Sequence, residues 1–418
     1  VKPKTVLITG GCGFIGHHMV EHIHRNTESN IIIIDKLSYA SRGYDRLRSS
    51  CLLHSPRVKI FTFDLSNPIT DGLMYEIGSI DIILHLAADT HVDNSITDPV
   101  PFMTNNVLST ITILEFARKL PQLERIVYFS TDEVYGGAPP GVFYKEFDRH
   151  NPTNPYSASK SAAESLCLGY LNTYKIPLII VNVMNAFGER QHVEKYIPKI
   201  IYHIMNDIPI TIHADKTLNV PGSRFYIHAR NISDAVVFLL DHAENGETYN
   251  IAGEREVDNL EIAQMIANIM DKELQYEMIY YMDERPGHDI RYALDNNKLI
   301  SLGWHCGIQL EESLRRTVRW TLNHPDWLNW DLHQCLSPEP VVSSPRFPQG
   351  LLPVLPVPES NRANGDCLVK LDCCTTEDGR VTDRDLEDER FDVIELRCCV
   401  TGGGGGGGVE CTENDRGC

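Results

Sequence analysis

The sequence predicts an α/β protein built on a doubly wound parallel sheet, with a smaller α/β part after it and a tail without a core. Three observations predict this. Apolar runs alternate with helical stretches through residues 4–182, a glycine-rich turn follows the first run, and the composition changes after Trp330. Strand–helix alternation is the pattern of parallel sheets joined by right-handed crossovers.

Six runs read as strands: TVLIT (5–9), IIIID (31–35), KIFTF (59–63), IILHL (82–86), IVYFS (126–130) and PLIIV (177–181). They are short, β-branched and aromatic, and they do not alternate with polar residues, as expected of strands covered on both faces. FIGHHMVEHIH (14–24), the segment Asn106–Leu120 and the segment Ala158–Tyr174 carry helical periodicity. From 183 to 330 the pattern loosens. Short strands (ITIHA, FYIHA, ETYNIAG) mix with helices around 194–206, 232–243, 258–270 and 310–322. The expected division is a dinucleotide-binding domain over 1–182, a substrate-binding domain over 183–330, and a tail over 331–418.

The tail opens with the Pro/Ser-rich stretch SPEPVVSSPRFPQGLLPVLPVPES and continues through the acidic run DRDLEDER to seven glycines, Gly402–Gly408. It lacks the periodic apolar content to bury a core, so disorder, or translation of a non-coding segment, is expected. Of twelve cysteines only Cys12, Cys51, Cys167 and Cys306 precede residue 335. The body is therefore cysteine-poor, like a reduced intracellular enzyme. The tail has CC doublets but no C-x-x-C and no His after His333, so no metal is expected.

Overall the chain has 418 residues, 42% hydrophobic and 23% charged, an ordinary globular composition. A formal net charge of −19 argues against a nucleic-acid partner, which needs clustered Lys and Arg. No apolar run approaches the ~18–20 residues of a membrane span. The opening residues carry no signal-peptide pattern, so a cytosolic location is expected, while the absent initiator Met leaves room for an upstream piece.

The first strand ends in TGGCGFIG, where Gly10, Gly13 and Gly16 form G-x-x-G-x-x-G between strand and helix. Such a turn lets backbone approach a pyrophosphate at the helix N-terminus. A structural glycine turn is the bland alternative, but Asp35 ends the second strand, where a carboxylate accepts the adenosine ribose hydroxyls and repels a 2′-phosphate. NAD is thus favoured over NADP. Asp64, ending the third strand, would sit at the adenine edge or simply cap its strand. Tyr156-Ser-Ala-Ser-Lys160 is Y-x-x-x-K at a helix start, which puts both side chains on one face. Lowering a Tyr pKa from about 10 toward 7 takes roughly 4 kcal/mol, and a neighbouring ammonium plus a nicotinamide cation is a plausible source. Tyr156 then serves as base for a hydroxyl proton while hydride leaves the same carbon, and Thr131 can hydrogen-bond that hydroxyl.

These residues resemble the extended short-chain dehydrogenase/reductases, with a Rossmann domain. DKLSYA (35–40), HLAADTHVDNSI (85–96), STDEVYG (130–136), NPYSASK (154–160), EKYIPKII (194–201), ETYNIAG (247–253) and ERPGHDIRYALD (284–295) are similar to nucleotide-sugar 4,6-dehydratases, nearest to the dTDP-glucose type. The resemblance runs from about residue 4 to 328. It implies that NAD⁺ oxidises C4 of the hexose, Glu133 removes the C5 proton, Asp132 protonates the departing C6 hydroxyl, and hydride returns to C6. Strict strand alternation would point Asp132 away from Thr131 and Glu133, so the backbone must leave strand geometry there.

The resemblance also implies that Phe14, Ile15, Lys36, Leu37, Ser38, Leu65, Leu86, Ala87 and Ala88 line the NAD site. Thr90 and Asn185 would touch substrate, and Lys195, Arg224, Asn250, Arg285 and His288 would hold the nucleotide diphosphate. A homodimer through a helix pair is implied too. The family's Asn-Asn-Tyr-Gly-Pro is here Asn185-Ala186-Phe187-Gly188-Glu189, Asn105 stands for a Thr, Asp89 for a Glu, and Asn231 where an Asp is common. Thymidine and uridine both stay open as the base of the nucleotide. A UDP-sugar 4-epimerase needs no acid pair after Thr131, and UDP-glucuronate decarboxylases usually lack the Asp. A non-enzymatic NAD sensor tends to lose the tyrosine or lysine.

Overall fold

The computed structural model describes residues 3–284 and 289–329; the expected tail lies outside the described residues. Seven parallel strands form the central sheet. Six follow in chain order: β1 (Thr5–Thr9), β2 (Asn30–Asp35), β3 (Val58–Thr62), β4 (Ile82–His85), β5 (Arg125–Thr131) and β6 (Leu178–Val183). Across the sheet they run β3, β2, β1, β4, β5, β6, with Thr248–Ile251 as the last edge. Every neighbouring pair is parallel.

The absence of polar alternation has its reason in the packing. Ile31 and Ile33 face one core, with Ile8, Leu84, Val127 and Val181. Ile32 and Ile34 face the other, with Leu7, Ile83, Ile126 and Ile180. Alternate side chains go to opposite faces, and both faces are covered. Burying each such side chain stabilises the fold by about 1.5–3 kcal/mol before entropy is counted. A third core, including Ile200, Ile212, Ile262, Ile266 and Leu314, belongs to the later part of the chain.

That later part is not a separate layer. Thr248–Ile251 pairs with Ile180–Val183 of β6, and the helix Ala229–His242 packs on helix α1 (Phe14–Asn26). ETYNIAG therefore completes the sheet instead of standing among the short strands of the smaller part. Sequence position cannot reveal this, because pairing across the sheet is non-local. The helix expected over Asn106–Leu120 is longer and earlier, Pro99–Ala117, with Pro99 in its first turn where a missing N–H costs nothing. Among the described residues no helix is long and apolar enough to cross a membrane.

Between β1 and β4 the strand order reverses, and the crevice of such a sheet opens there, at the strand C-terminal ends. Helix α1 starts at this point. A Cβ at Gly16 would lie 2.0 Å from the Gly10 carbonyl oxygen, so a side chain would push the turn off the helix.

At the opposite edge, fully buried Asn250 fastens two crossing segments. Its amide donates to the carbonyls of Tyr144 (3.0 Å) and Asp295 (2.9 Å), and its backbone N–H to Glu146 Oε1 (3.1 Å). Replacing Asn250 by Ala strands both carbonyls and should cost about 1–3 kcal/mol. Urea denaturation should show a lower midpoint with an unchanged slope.

Candidate active site

A cleft of about 320 Å³ opens at the switch point. It is lined by Gly10, Gly13, Phe14, Ile15 and Gly16 of the first turn, by Asp35, Lys36 and Ser38 after β2, and by Asp64 and Leu65 after β3. Leu86, Ala87, Ala88 and Thr90 follow β4, and Thr131, Asp132, Glu133, Tyr156 and Lys160 close the far end. The sequence-expected dinucleotide and catalytic sets thus meet in one cavity, with Leu37 as the exception.

Asp35 is pinned by backbone. Its Oδ2 accepts from the Cys12 N–H (2.9 Å) and its Oδ1 from the Leu37 N–H (2.8 Å). Burial raises its pKa, and these two bonds and the nearby Arg46 only partly counter the rise. Leu37 itself does not line the cleft. With φ at +55° its side chain packs against the first core, and only its amide serves the site. Beside it, fully buried Arg46 donates to the carbonyls of Ala40 (2.7 Å), Ser41 (2.8 Å) and Arg190 (3.0 Å), bracing the loop after β2. Its spacing carries no signal that would have singled it out.

Two departures from the family pattern meet at one lysine. Lys36 Nζ reaches Asn105 Oδ1 at 2.8 Å and Asp89 Oδ2 at 3.3 Å. The buried Asn106 next door exchanges bonds with the backbone of Asp89 and donates to Ser159 Oγ (2.8 Å), tying the turn after β4 to the helix of Tyr156. A third departure, Glu189, accepts from His228 Nε2 (3.0 Å), while its carbonyl accepts from His18 Nε2 (3.2 Å). This carboxylate and its two buried histidines hold the loop after β6 to helix α1, and Glu189 stays ionised far below the usual range, at about 2.

At the catalytic end β5 stops at Thr131, and a 3-10 turn runs over Asp132–Tyr135. That is the expected departure from strand geometry, and it brings all three side chains to the cleft. The Thr131 hydroxyl donates to Asp132 Oδ1 (3.0 Å). Burial and the charge of Glu133 raise Asp132 to about 7. Its Oδ2 is buried with no partner among the described residues, as is Asn185 Oδ1. Glu133 Oε2 accepts from Asn154 Nδ2 (3.0 Å), and Asn154 Oδ1 caps the helix Pro155–Tyr174 by accepting from the Ser157 N–H (2.9 Å). Tyr156 is buried beside Thr131; burial, then Glu133, push its pKa far up. Lys160 is buried, its ammonium 4.4 Å over the Tyr128 ring, and burial lowers it to about 8.

The residues expected to hold substrate divide. Thr90, Asn185 and Lys195 line the cleft, with Lys195 Nζ 3.3 Å from the Thr90 carbonyl and 3.7 Å from Glu194. Arg224 and Asn250 do not line it. Arg224 donates to the carbonyls of Ser223, Asp289 and Ile290, each at 2.7 Å, and lies over the Tyr292 ring. Asn250 is spent on backbone, as described above. Both were matched by motif, which does not show where a side chain points. Arg285 and His288 lie outside the described residues. Among the described residues no cluster of His, Cys, Asp or Glu is placed to hold a metal ion.

Asn154 is the residue that the motif contained and whose role it did not reveal. Ser is an equally good cap but carries no amide to donate to Glu133. Asn154→Ser should therefore largely keep thermal stability while cutting kcat about a hundredfold, since small misplacements of a reacting group cost that much. Calorimetry and steady-state rates on one preparation check it.

Comparison with known proteins agrees with this geometry. The family model described as GDP-mannose 4,6 dehydratase matches residues 7–317. A trifunctional UDP-glucose 4,6-dehydratase/UDP-4-keto-6-deoxy-D-glucose 3,5-epimerase/UDP-4-keto-L-rhamnose-reductase of Arabidopsis thaliana is 35% identical over 342 residues, covering 81% of this chain and 50% of that protein. The chain therefore spans about half the length of that relative. The dTDP-glucose 4,6-dehydratase of Escherichia coli is 33% identical, over 77% of this chain and 94% of its own. A Streptomyces venezuelae dTDP-glucose 4,6-dehydratase crystallised with NAD superposes with a TM-score of 0.70 at 30% identity, over 77% and 98% of the two chains. The chain belongs to the GDP-mannose 4,6-dehydratase family, among the nucleotide-sugar dehydratases of the extended short-chain dehydrogenase/reductases.

Proposed function

We propose that this chain is an NAD-dependent 4,6-dehydratase of a nucleotide-activated glucose, forming the 4-keto-6-deoxy sugar. One observation carries the reading. Asp132 and Glu133 are adjacent in the same cleft as Tyr156 and Lys160, and Asp132 is kept protonated near neutral pH by burial and by Glu133. An elimination of water needs that asymmetry, one acid to give a proton and one carboxylate to take one.

The residues fit NAD. Gly13 at the N-cap of helix α1 offers no side-chain cap, which leaves the first-turn N–H groups for a pyrophosphate. Asp35 is held by two backbone N–H groups and keeps lone pairs for ribose hydroxyls, which disfavours a 2′-phosphate. Bound NAD would accept hydride from C4 of the sugar and later return it to C6. Tyr156 takes the C4 hydroxyl proton, with Thr131 orienting that hydroxyl and the Lys160 ammonium favouring the phenolate. Glu133, steadied by Asn154, removes the C5 proton made acidic by the new ketone. Asp132 protonates the C6 hydroxyl so that it leaves as water.

The 4-epimerase and decarboxylase readings leave Asp132 without a task, and a sensor leaves the whole acid–base set without one. dTDP-glucose is the first choice of substrate and UDP-glucose the second, as relatives carry both names. The reading includes a cytosolic homodimer. Apolar Val100, Met103 and Leu168 are exposed on the helices Pro99–Ala117 and Pro155–Tyr174, which supports a helix-pair interface.

Incubating the full chain and NAD with dTDP-glucose or UDP-glucose should give loss of one water by mass spectrometry, faster with the true nucleotide. Intact sugars together with epimerised UDP-galactose would point to the epimerase instead. Because the acid form of Asp132 persists only up to about 7, kcat/KM for water loss should fall as pH rises through that value. Asp132→Asn should lower kcat by about 10²–10⁴-fold below that pH, with a smaller deficit above it, and leave NAD binding intact.

A further inference from the structure

The helix Pro155–Tyr174 carries a third ionisable group that the reaction does not use. Tyr156, Lys160 and Glu164 follow at four-residue intervals on one face, and all three are buried, at 7%, 4% and 3% exposure. An isolated buried carboxylate is expensive, so its surroundings report what it is for. The Ser130 hydroxyl, next to Thr131 in β5, donates to Glu164 Oε1. Oε2 lies 3.5 Å from His150 Nε2, and the other ring nitrogen of His150 is 2.9 Å from Ser161 Oγ. Both carboxylate oxygens are thus engaged by polar groups; burial raises the carboxyl to about 7, and the Ser130 hydroxyl and then Lys160 work against that rise, so it is ionised above that pH.

The groups around Lys160 leave it one counter-ion. From β4 comes His85, which burial and then Lys160 hold at about 3, so it is neutral at working pH. From β5 comes Tyr128, whose buried phenol stays protonated and whose ring face lies under the ammonium. On its own helix Cys167 is a buried thiol with a raised pKa. The groups that favour the charged form of Lys160 are Glu164 first and Cys167 second. Glu164 in turn faces Ser130, Lys160, His150, Tyr128, Tyr135 and Cys167. Lys160, at about 8, is the member of that set that is positively charged at neutral pH, and His150 is itself shifted toward its neutral form by burial.

We propose that Glu164 is a positioning residue, the buried counter-ion that keeps Lys160 charged beneath the active-site tyrosine. The proposal rests on the functional reading only for the task of Lys160, and it holds for a dehydratase and an epimerase alike. A merely structural Glu164 would serve Ser130 and His150 and leave the lysine to burial alone. Glutamine in its place keeps an acceptor for Ser130 and removes the charge, which separates the two roles.

The test reads Lys160 directly. In the full chain with lysines labelled with ¹³C at Cε, the Lys160 resonance is identified by its loss in Lys160→Ala. Its midpoint should lie near 8 in the unaltered protein. Glu164→Gln should lower it by about one unit, the effect of losing a buried opposite charge one helical turn away. The alkaline limb that Lys160 contributes to kcat/KM should move to lower pH by a matching amount, and Glu164→Asp should recover most of the shift. A folded Glu164→Gln with an unmoved Lys160 midpoint overturns the proposal. Should that variant not fold, Glu164→Met removes the charge as well and must give the same shift. The midpoint is measured without substrate, so a failed assay for water loss would remove the functional reading and leave this result standing.

Discussion

A β-strand cannot turn three consecutive side chains to one side, and the catalytic end of the cleft needs residues 131, 132 and 133 together. The chain meets this limit by ending β5 at Thr131 and winding the next four residues into a 3-10 turn. The rest of the site follows from that break. Gly136, at φ +75°, lets the turn leave, since a Cβ there would lie 2.4 Å from the Asn151 carbonyl oxygen. The Asn151 N–H closes back on the Val134 carbonyl at 2.9 Å, and four residues later the helix of Tyr156 begins. The tyrosine, the lysine and the acid pair face one another because a strand stopped one residue early.

Two adjacent carboxyl groups in a poorly solvated pocket are tolerated only when one of them is neutral. Asp132 takes that part because it is the more buried, and Thr131 and Arg224 work against its protonation less than burial and Glu133 work for it. The same economy recurs through the interior of this protein. Buried histidines stay neutral, and Arg46 spends its donors on carbonyls of the loop it braces.

Much of the architecture was readable from the amino acids, for a physical reason. Strands covered on both faces must be apolar nearly throughout, so the five inner ones appear as apolar runs, while β3 at the edge is only partly buried and carries exposed Lys59 and Thr62. The seventh was readable as a strand but not as part of this sheet, because its partner lies about seventy residues away in the chain. Cleft residues on the backbone path itself (the glycine turn, Asp35, Thr131 to Glu133, and Tyr156 with Lys160) were readable because their spacing is tied to strand ends and helix turns. Arg224, Asn250 and Leu37 were placed on the cleft by motif, and their side chains go elsewhere. A motif fixes position along the chain, whereas the direction of a side chain depends on which neighbouring carbonyl or core lies within reach. Asn154, Asn106 and Arg46 do their work through contacts that exist only once distant segments have met.

Asn154 joins two properties that are usually separable. One end of its amide starts a helix and the other holds a carboxylate across the cleft. Fraying of the first helical turn, an event of local folding, would release Glu133 in the same motion. Evolution could therefore not loosen this helix to gain flexibility without also lowering the fraction of molecules that are ready to react. In a lineage drifting toward warmer or colder surroundings, selection on turnover would act here as selection on a helix terminus.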